Sequence, residues 1–161
     1  MRTQKLIMWV NHLSLLPGDS SVKTSYNAVN SGVGSGLTGL VIESTTLGDQ
    51  AQGGGNKVVQ KALDVPPGYK ITGVRVGYEN SNVRSYITQV RLAQVQNPPG
   101  TALVLLDDPT HLNAAGPTYA HSAATSIDPA KGPLLLDLRV NFGNTADRIV
   151  VRGLGLLLLK H

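Results

Sequence analysis

Strict alternation of apolar and polar side chains is clearest near the end of the chain. In residues 134–142, leucine, valine and phenylalanine recur at every second position, with Asp137 and Arg139 among the residues between them. A polar turn at 143–147 leads to a second extended run at 148–159. A period of two residues over this length predicts a strand with one buried face and one wet face. The two runs therefore predict an antiparallel pair.

Shorter segments of the same kind recur through the rest of the chain, separated by Gly, Pro, Asn and Asp. The predicted strands are 6–13, 22–28, 38–46, 57–65, 70–78, 85–95, 102–106, 134–142 and 148–159, with a further short one at 118–122. About nine strands at roughly ten-residue spacing are typical of a sandwich or barrel. We expect an all-β fold over a single domain, 1–161. An antiparallel, jelly-roll-like β-sandwich is the first choice and a barrel the second.

The beginning of the chain has some features of a secretory signal. A basic start is followed by the apolar run 6–10, but Asn11 and His12 interrupt it and the turn at 17–19 offers no small-residue cleavage site. We interpret this segment as the first strand, so the sequence predicts no compartment. The glycine-rich stretches 30–36 and 53–55 predict loops. No apolar run approaches the length of a membrane span.

Composition excludes several kinds of chemistry. The 161 residues include no cysteine, which rules out disulfides, thiolate metal sites and a cysteine nucleophile. The net charge is +4, but charged residues make up only 15% of the chain and form no Lys/Arg cluster. Aromatic residues make up 4%. Specific nucleic-acid binding is therefore not expected, because it relies on basic patches and base stacking.

The second half of the last strand is apolar on both faces. Leu154, Leu156 and Leu158 share one face, and Leu157 and Leu159 share the other. An antiparallel strand with one wet face should alternate, and the sequence offers no helix to cover the second face. We expect a homo-oligomer with Leu154, Leu156 and Leu158 at its interface. The alternative is a central strand that loops cover.

Aromatic residues beside polar turns suggest a ligand site. Trp9, Tyr69, Tyr78, Tyr86 and Tyr119 could include a sugar-stacking platform, although such residues also suit a core or an interface. We expect a ligand to meet loops 79–84 and 107–122. The candidate residues are Tyr78, Asn80, Asn82, Tyr86, His111 and His121. Tyr78 and Tyr86 lie on the apolar side of their strands, which favours a core or interface role for both.

Acidic residues open the loop at 107. Asp107, Asp108 and Asn113 could supply oxygen ligands to Ca²⁺. The simpler interpretation, which we favour, is a turn in which Asp108 precedes Pro109 without any metal. No other cofactor is expected.

Two further arrangements remain as alternatives. A hydrolase could use the loop of His111 and His121, through zinc or a triad with Asp108 and Ser122, but no Gly-x-Ser-x-Gly elbow is present and exposed loop histidines are favoured. Four arginines lie in the middle of predicted strands and could form a basic stripe for an anionic ligand. Ordinary cross-strand ion pairs are preferred. These arginines are Arg75, Arg91, Arg139 and Arg152.

The first functional hypothesis is a non-enzymatic binding or assembly module that acts as a homo-oligomer. The second is a lectin-like carbohydrate-binding domain, with Ca²⁺ as a possible aid, and the third is the hydrolase. In architecture alone, the expected fold resembles small jelly-roll lectins and trimeric recognition domains. No motif ties the chain to a family.

Overall fold

The computed structural model describes residues 4–26 and 39–160. Within them are eleven strands and two short 3-10 helices, His12–Ser14 and Pro129–Lys131. The strands are β1 (Lys5–Val10), β2 (Leu16–Pro17), β3 (Val22–Ser25), β4 (Leu40–Ser44), β5 (Val58–Leu63), β6 (Tyr69–Asn80), β7 (Tyr86–Val95), β8 (Ala102–Asp108), β9 (Thr118–His121), β10 (Leu134–Asn141) and β11 (Ile149–Lys160). The predicted loop 30–36, and one end of each strand predicted at 22–28 and 38–46, lie outside the described residues.

The strands form two antiparallel sheets. The first sheet has the order β3-β4-β11-β6-β9, and β1 also pairs with β11. The second sheet has the order β2-β5-β10-β7-β8. The sheets do not close into a barrel, so the antiparallel β-sandwich is confirmed and the barrel is excluded. From β4 onward the chain changes sheet at every step except from β7 to β8. This order supports the jelly-roll form, which stays a prediction.

The alternation seen in the sequence of β10 is present in its burial. Leu134, Leu136, Leu138 and Val140 are buried, and every residue between them is half-buried. The buried side chains belong to one hydrophobic cluster that includes inward residues of both sheets. The outward face of β10 is correspondingly polar along most of its length.

The residues of β11 that face the core differ from those that the sequence predicted. A register shift between Val151 and Gly153 changes the inward positions of the strand from odd to even numbers. Leu154, Leu156 and Leu158 consequently face the core and are at most 2% exposed. The protein's own second sheet covers them, so they are not available as a surface for a second subunit. The homo-oligomer itself stays a prediction.

The outward face of β11 is less apolar than the sequence suggested. Gly153 and Gly155 occupy two of its positions, and the two leucines farther along, Leu157 and Leu159, are half-buried. β6 pairs with β11 along one edge, while β4 and then β1 pair along the other. The two glycines therefore lie in the interior of the first sheet, with neighbouring strands on both sides. No helix among the described residues is long and apolar enough to cross a membrane.

Candidate functional site

The outer face of the first sheet has an unusual row of residues across four adjacent strands. In β6, Arg75 pairs with His121 of β9 on one side and with Gly155 of β11 on the other. Gly155 in turn pairs with Trp9 of β1. Because Met8 and Val10 pack toward the core, Trp9 faces outward, and it is 52% exposed. Arg75 and Trp9 therefore lie on either side of Gly155, which has no side chain.

The neighbouring row repeats the arrangement with a tyrosine. Tyr119 of β9 pairs with Gly77 of β6, and Gly77 pairs with Gly153 of β11. Glycine inside a strand usually weakens it, and often marks a place where another group approaches the backbone closely. Here the groups that approach are aromatic rings.

Both rings lie against these glycines. A Cβ placed on Gly77 would be 2.6 Å from Cε1 of Tyr119, and one on Gly155 would be 3.3 Å from Cε3 of Trp9. At Gly153 a Cβ would be 3.2 Å from Oη of Tyr119 and 3.6 Å from Cζ3 of Trp9. The ring centroids are 5.7 Å apart with the planes inclined by 55°. We call Trp9 and Tyr119, together with the three glycines beneath them, the aromatic platform.

Arg75 adds a positive charge to the platform. Its guanidinium carbon lies 4.4 Å from the ring centroid of Tyr119 and 5.7 Å from that of Trp9. Both distances are in the range of cation–π attraction, which contributes about 0.5–1 kcal/mol at exposed sites. Tyr119 is 47% exposed, so a large part of each ring remains open to solvent. The platform thus presents two aromatic surfaces and one cation to any ligand that approaches this face.

The residues predicted around loop 79–84 have mostly structural contacts. Tyr78 is 4% exposed and lies in the core. Nδ2 of Asn80 donates to the carbonyls of Leu112 and Ala114, at 3.0 and 3.3 Å, and so ties loop 107–122 to the end of β6. Oδ1 of Asn82 accepts a hydrogen bond from the backbone of Arg84. The two loops therefore do lie together, at one end of the sandwich.

The two predicted histidines lie on different parts of the molecule. His111 is exposed and its ring packs against that of Tyr86, with centroids 4.7 Å apart and the planes inclined by 35°. His121 lies beside Arg75 in the first sheet, next to the aromatic platform. Tyr86 with His111 forms a small aromatic pair at the loop end, whereas His121 belongs to the other site.

The carboxylates predicted as calcium ligands point to opposite sides of β8. Asp107 is exposed and contacts Gln89 and Arg91 on the outer face of the second sheet. Asp108 is buried, and its two oxygens accept backbone hydrogen bonds from Thr110 and Ala123 at 3.0 and 2.7 Å. Burial acts to raise the pKa of Asp108, but hydrogen bonds from the side chain of Thr110 and from these two backbone groups hold the pKa below its usual value. The arrangement is the turn that the sequence favoured.

Asn113, the third predicted calcium ligand, lies exposed in the following loop. Among residues 4–26 and 39–160, no group of three or more His, Asp or Glu side chains could hold a metal ion.

The side chains proposed for a hydrolase triad have other partners. The carboxylate of Asp108 is engaged by backbone N–H groups, and His111 lies on Tyr86. Oγ of Ser122 accepts from the backbone of Val74 and donates to the carbonyl of Ala123, both at 2.9 Å. These contacts join the serine to the backbone rather than to a base, so the geometry offers no activated nucleophile here.

The four mid-strand arginines do not form one stripe. Arg75 and Arg152 belong to the first sheet, and Arg91 and Arg139 belong to the second. Arg152 forms an ion pair with Glu79 at 2.8 Å, which is one of the cross-strand pairs that the sequence favoured. Arg91 pairs with Asp107 at 3.5 Å and Arg139 with Asp49 at 3.2 Å.

Sequence reasoning included Trp9 and Tyr119 among five possible stacking residues but did not bring them together. They are far apart in the sequence, and only the pairing of β1 and β9 with the central strands of the first sheet makes them neighbours. The available signal was glycine at 77, 153 and 155, inside segments that otherwise read as strands. Such glycines point to close approach by another group.

Comparison with known proteins identifies the fold of this chain but assigns it to no family. No protein-family model matches the chain, and no curated protein matches it in sequence. Among solved structures, it is similar to a carbohydrate-binding module, CBM36, in complex with calcium and xylotriose. That match has a TM-score of 0.50 and 12% identity, and covers 93% of this chain and 98% of that chain.

A second similar structure is that of the CBM22-1–GH10 modules of the N-terminal endo-1,4-β-D-xylanase 10B of Clostridium thermocellum, complexed with xylohexaose. Its TM-score is 0.55 and its identity 13%, and the match covers 94% of this chain and 27% of that longer chain. At such low identity these likenesses establish the fold alone. The chain has the β-sandwich fold that is found in carbohydrate-binding modules.

Proposed function

We propose that this protein is a non-catalytic carbohydrate-binding domain whose ligand stacks on the aromatic platform. The observation that carries the proposal is the pair of half-exposed rings, Trp9 and Tyr119, held against glycines in the middle of a sheet. The sandwich fold shared with carbohydrate-binding modules supports the same class of ligand.

The chemistry of the platform suits a sugar. One face of a pyranose ring is rich in C–H groups, and an aromatic surface is a good partner for such a face because its π-system carries partial negative charge. The rings are already positioned by the glycines and by Arg75, so little side-chain freedom would be lost on binding. Hydroxyl groups at the edge of a sugar would find donors and acceptors in Arg75, His121 and the phenol of Tyr119.

The loop end of the sandwich is the alternative location for the same function. There the ring of Tyr86, at the start of β7, packs against that of His111 in loop 107–122, one of the loops for which the sequence predicts a ligand. Homo-oligomerisation and a role for Ca²⁺ remain predictions. Calcium is present in the CBM36 structure, but Asp107 and Asp108 of this chain point away from each other. A hydrolase is not proposed, because the side chains that it would need are bound elsewhere.

A glycan array tests the function and its location together. The wild-type protein is compared with Trp9→Ala, Tyr119→Ala and Tyr86→Ala, with and without a chelator. The matched control is Tyr26→Ala, which removes a ring that is 77% exposed and outside the platform. We expect wild-type binding to at least one glycan class, and a loss of at least about tenfold in affinity, or 1.4 kcal/mol, for each platform variant.

Two outcomes would contradict the proposal. One is that the wild-type protein, confirmed as folded by circular dichroism, binds no glycan on the array. The other is that Trp9→Ala and Tyr119→Ala bind as well as Tyr26→Ala does. Loss in Tyr86→Ala alone would move the site to the loop end.

A further inference from the structure

Arg75 differs from the other described arginines. Of the six within residues 4–26 and 39–160, five form an ion pair with a carboxylate: Arg84, Arg91, Arg139, Arg148 and Arg152. Arg75 has no ion pair and no hydrogen bond with another described residue, and its Nε is buried without a partner. Within the described part of the chain, its guanidinium lies over the two aromatic rings.

Burial does not explain why Arg75 lacks an oxygen partner. Even the fully buried Lys57 has oxygen partners, since its Nζ donates to Ser44 Oγ, to the carbonyl of Thr46 and to that of Gly48 at 2.9, 2.9 and 3.1 Å. A cation that stacks on exposed rings and lacks an anion retains its capacity to pair. Aromatic faces attract the guanidinium but leave the N–H groups at its edge without acceptors.

The carboxylates on the same face are already neutralised. Glu79 of β6 is paired with Arg152, and Glu43 of β4 is paired with Arg148 at 3.1 Å. Along β6, Glu79 is four residues from Arg75, or about 13 Å in an extended strand. The platform therefore has a local positive charge that no carboxylate among residues 4–26 and 39–160 compensates.

Further positive charge lies along the same face. Lys70 of β6 pairs with Leu159 of β11, and Leu159 pairs with Lys5 of β1. This row is four residues along β11 from Gly155, again about 13 Å. Neither lysine forms an ion pair with a described residue. A depression of about 530 Å³, lined by Lys5, Thr72 and the leucines at 157–159, lies at this end of the face.

We propose that the platform takes an anionic sugar, with the ring stacked on Trp9 and Tyr119 and its carboxylate or sulfate group paired with Arg75. This inference rests on the proposed function and specifies its ligand class. The planar guanidinium can donate two parallel N–H bonds to such an anion, and charge-assisted bonds of this kind are stronger than neutral ones. Lys5 and Lys70 extend the positive charge toward the next sugars of an acidic chain.

The test compares one oligosaccharide in charged and uncharged form. Hexagalacturonate and its methyl ester are titrated into the wild-type protein by calorimetry, and xylohexaose serves as a neutral reference. We expect the acid to bind at least about tenfold more tightly than the ester, a difference of 1.4 kcal/mol. The preference should weaken with rising salt. A sulfated κ-carrageenan oligosaccharide is the second arm, and an Arg75-dependent preference for it alone would identify sulfate as the anion.

Variants at Arg75 separate charge from the position of the rings. In Arg75→Gln the preference for acid over ester should fall to about twofold or less, because the affinity for the acid should fall much more than the affinity for the ester. Arg75→Lys keeps the charge without the planar fork and should retain an intermediate preference. Arg91→Gln is the matched control, because it removes one arginine charge from the second sheet and should leave the preference intact.

The possible failures can be told apart. If the ester or xylohexaose binds as tightly as the charged ligands, and that binding requires Trp9 and Tyr119, the anionic ligand is excluded and the carbohydrate-binding function stands. An acid preference that survives in Arg75→Gln also overturns the assignment to Arg75. If no probe binds in a manner that depends on Trp9 and Tyr119, the carbohydrate site on the platform fails as well.

Discussion

The two outer faces of the sandwich are built on the same alternation but differ in what their outward positions hold. In the middle of the second sheet, charged side chains such as Arg91, Asp107 and Arg139 meet partners of opposite sign. In the middle of the first sheet, the outward positions are glycines. The side chains around them are two aromatic rings and an arginine that pairs with no carboxylate in the described part of the chain. On the second sheet these charges are paired within the protein, whereas the first sheet leaves aromatic surface and positive charge exposed.

The first sheet is the face on which a ligand is expected. Polar residues that pair with each other across strands stabilise a sheet, and their charges are then already neutralised within the protein. The exposed parts of the two rings and the N–H groups of the arginine make no further contacts with described residues, so they remain available to a ligand. Exposed apolar surface with adjoining polar groups is a common mark of a binding site. The contrast between the faces, more than either face alone, supports the location of the proposed site.

The largest effect is expected when the platform loses its glycine support. In Gly77→Ala the new Cβ would meet the ring of Tyr119 at 2.6 Å, so the ring must swing away from the sheet. We expect affinity for the glycan identified on the array to fall about tenfold. Because the displaced ring is at the surface, the free energy of unfolding should change by less than about 1 kcal/mol.

Gly100→Ala is the control for this change, since nothing lies within 4 Å of a Cβ at that position. Calorimetry gives the affinities and urea denaturation gives the stabilities. Unchanged glycan affinity in Gly77→Ala would show that the ligand does not use the ring of Tyr119 in its present position.

A smaller effect is expected on the second face, and on stability rather than binding. Burial raises the pKa of Asp137, with Arg91 acting in the opposite direction, and Oδ1 of Asp137 lacks a hydrogen-bond partner. A carboxyl group whose pKa is higher in the folded state costs nothing at a pH below both pKa values, and its cost grows as the pH rises from the unfolded-state pKa to the folded-state pKa. Asp137→Asn should therefore match the wild type near pH 3 and exceed its free energy of unfolding by up to about 1 kcal/mol at pH 7.

Urea denaturation of both proteins at several pH values measures this difference. A variant that is less stable than the wild type at pH 7 would contradict the interpretation, as would a difference that does not depend on pH. Glycan affinity should be the same in both proteins, because Asp137 lies on the face without the platform.

The sequence predicted the fold best where alternation was uninterrupted. The buried and half-buried positions of β10 follow its leucines and valine one by one. The buried face of β11 was harder to predict. The register shift after Val151 moves Leu154, Leu156 and Leu158 inward, and the local sequence pattern does not indicate this shift. The interface assigned to these leucines failed for that reason.

The site was less predictable than the fold because its members are distant in the sequence. Tyr78 was considered for a ligand although it continues the inward series of Val74 and Val76, and the structure places it in the core. Trp9 and Tyr119 meet only because β1 and β9 flank the two central strands of the first sheet. Strand order in a sandwich depends on the whole fold, so sequence spacing alone cannot supply this neighbourhood.

Trp9 is the one tryptophan of the chain, which allows a direct test of the platform. The intrinsic tryptophan fluorescence of the wild-type protein is followed while the glycan identified on the array is added. A ligand stacked on the platform should change the emission of Trp9 in a saturable way, with the same dissociation constant that calorimetry gives. Binding that calorimetry detects at full occupancy without any change in Trp9 emission would contradict the location of the site on the first sheet.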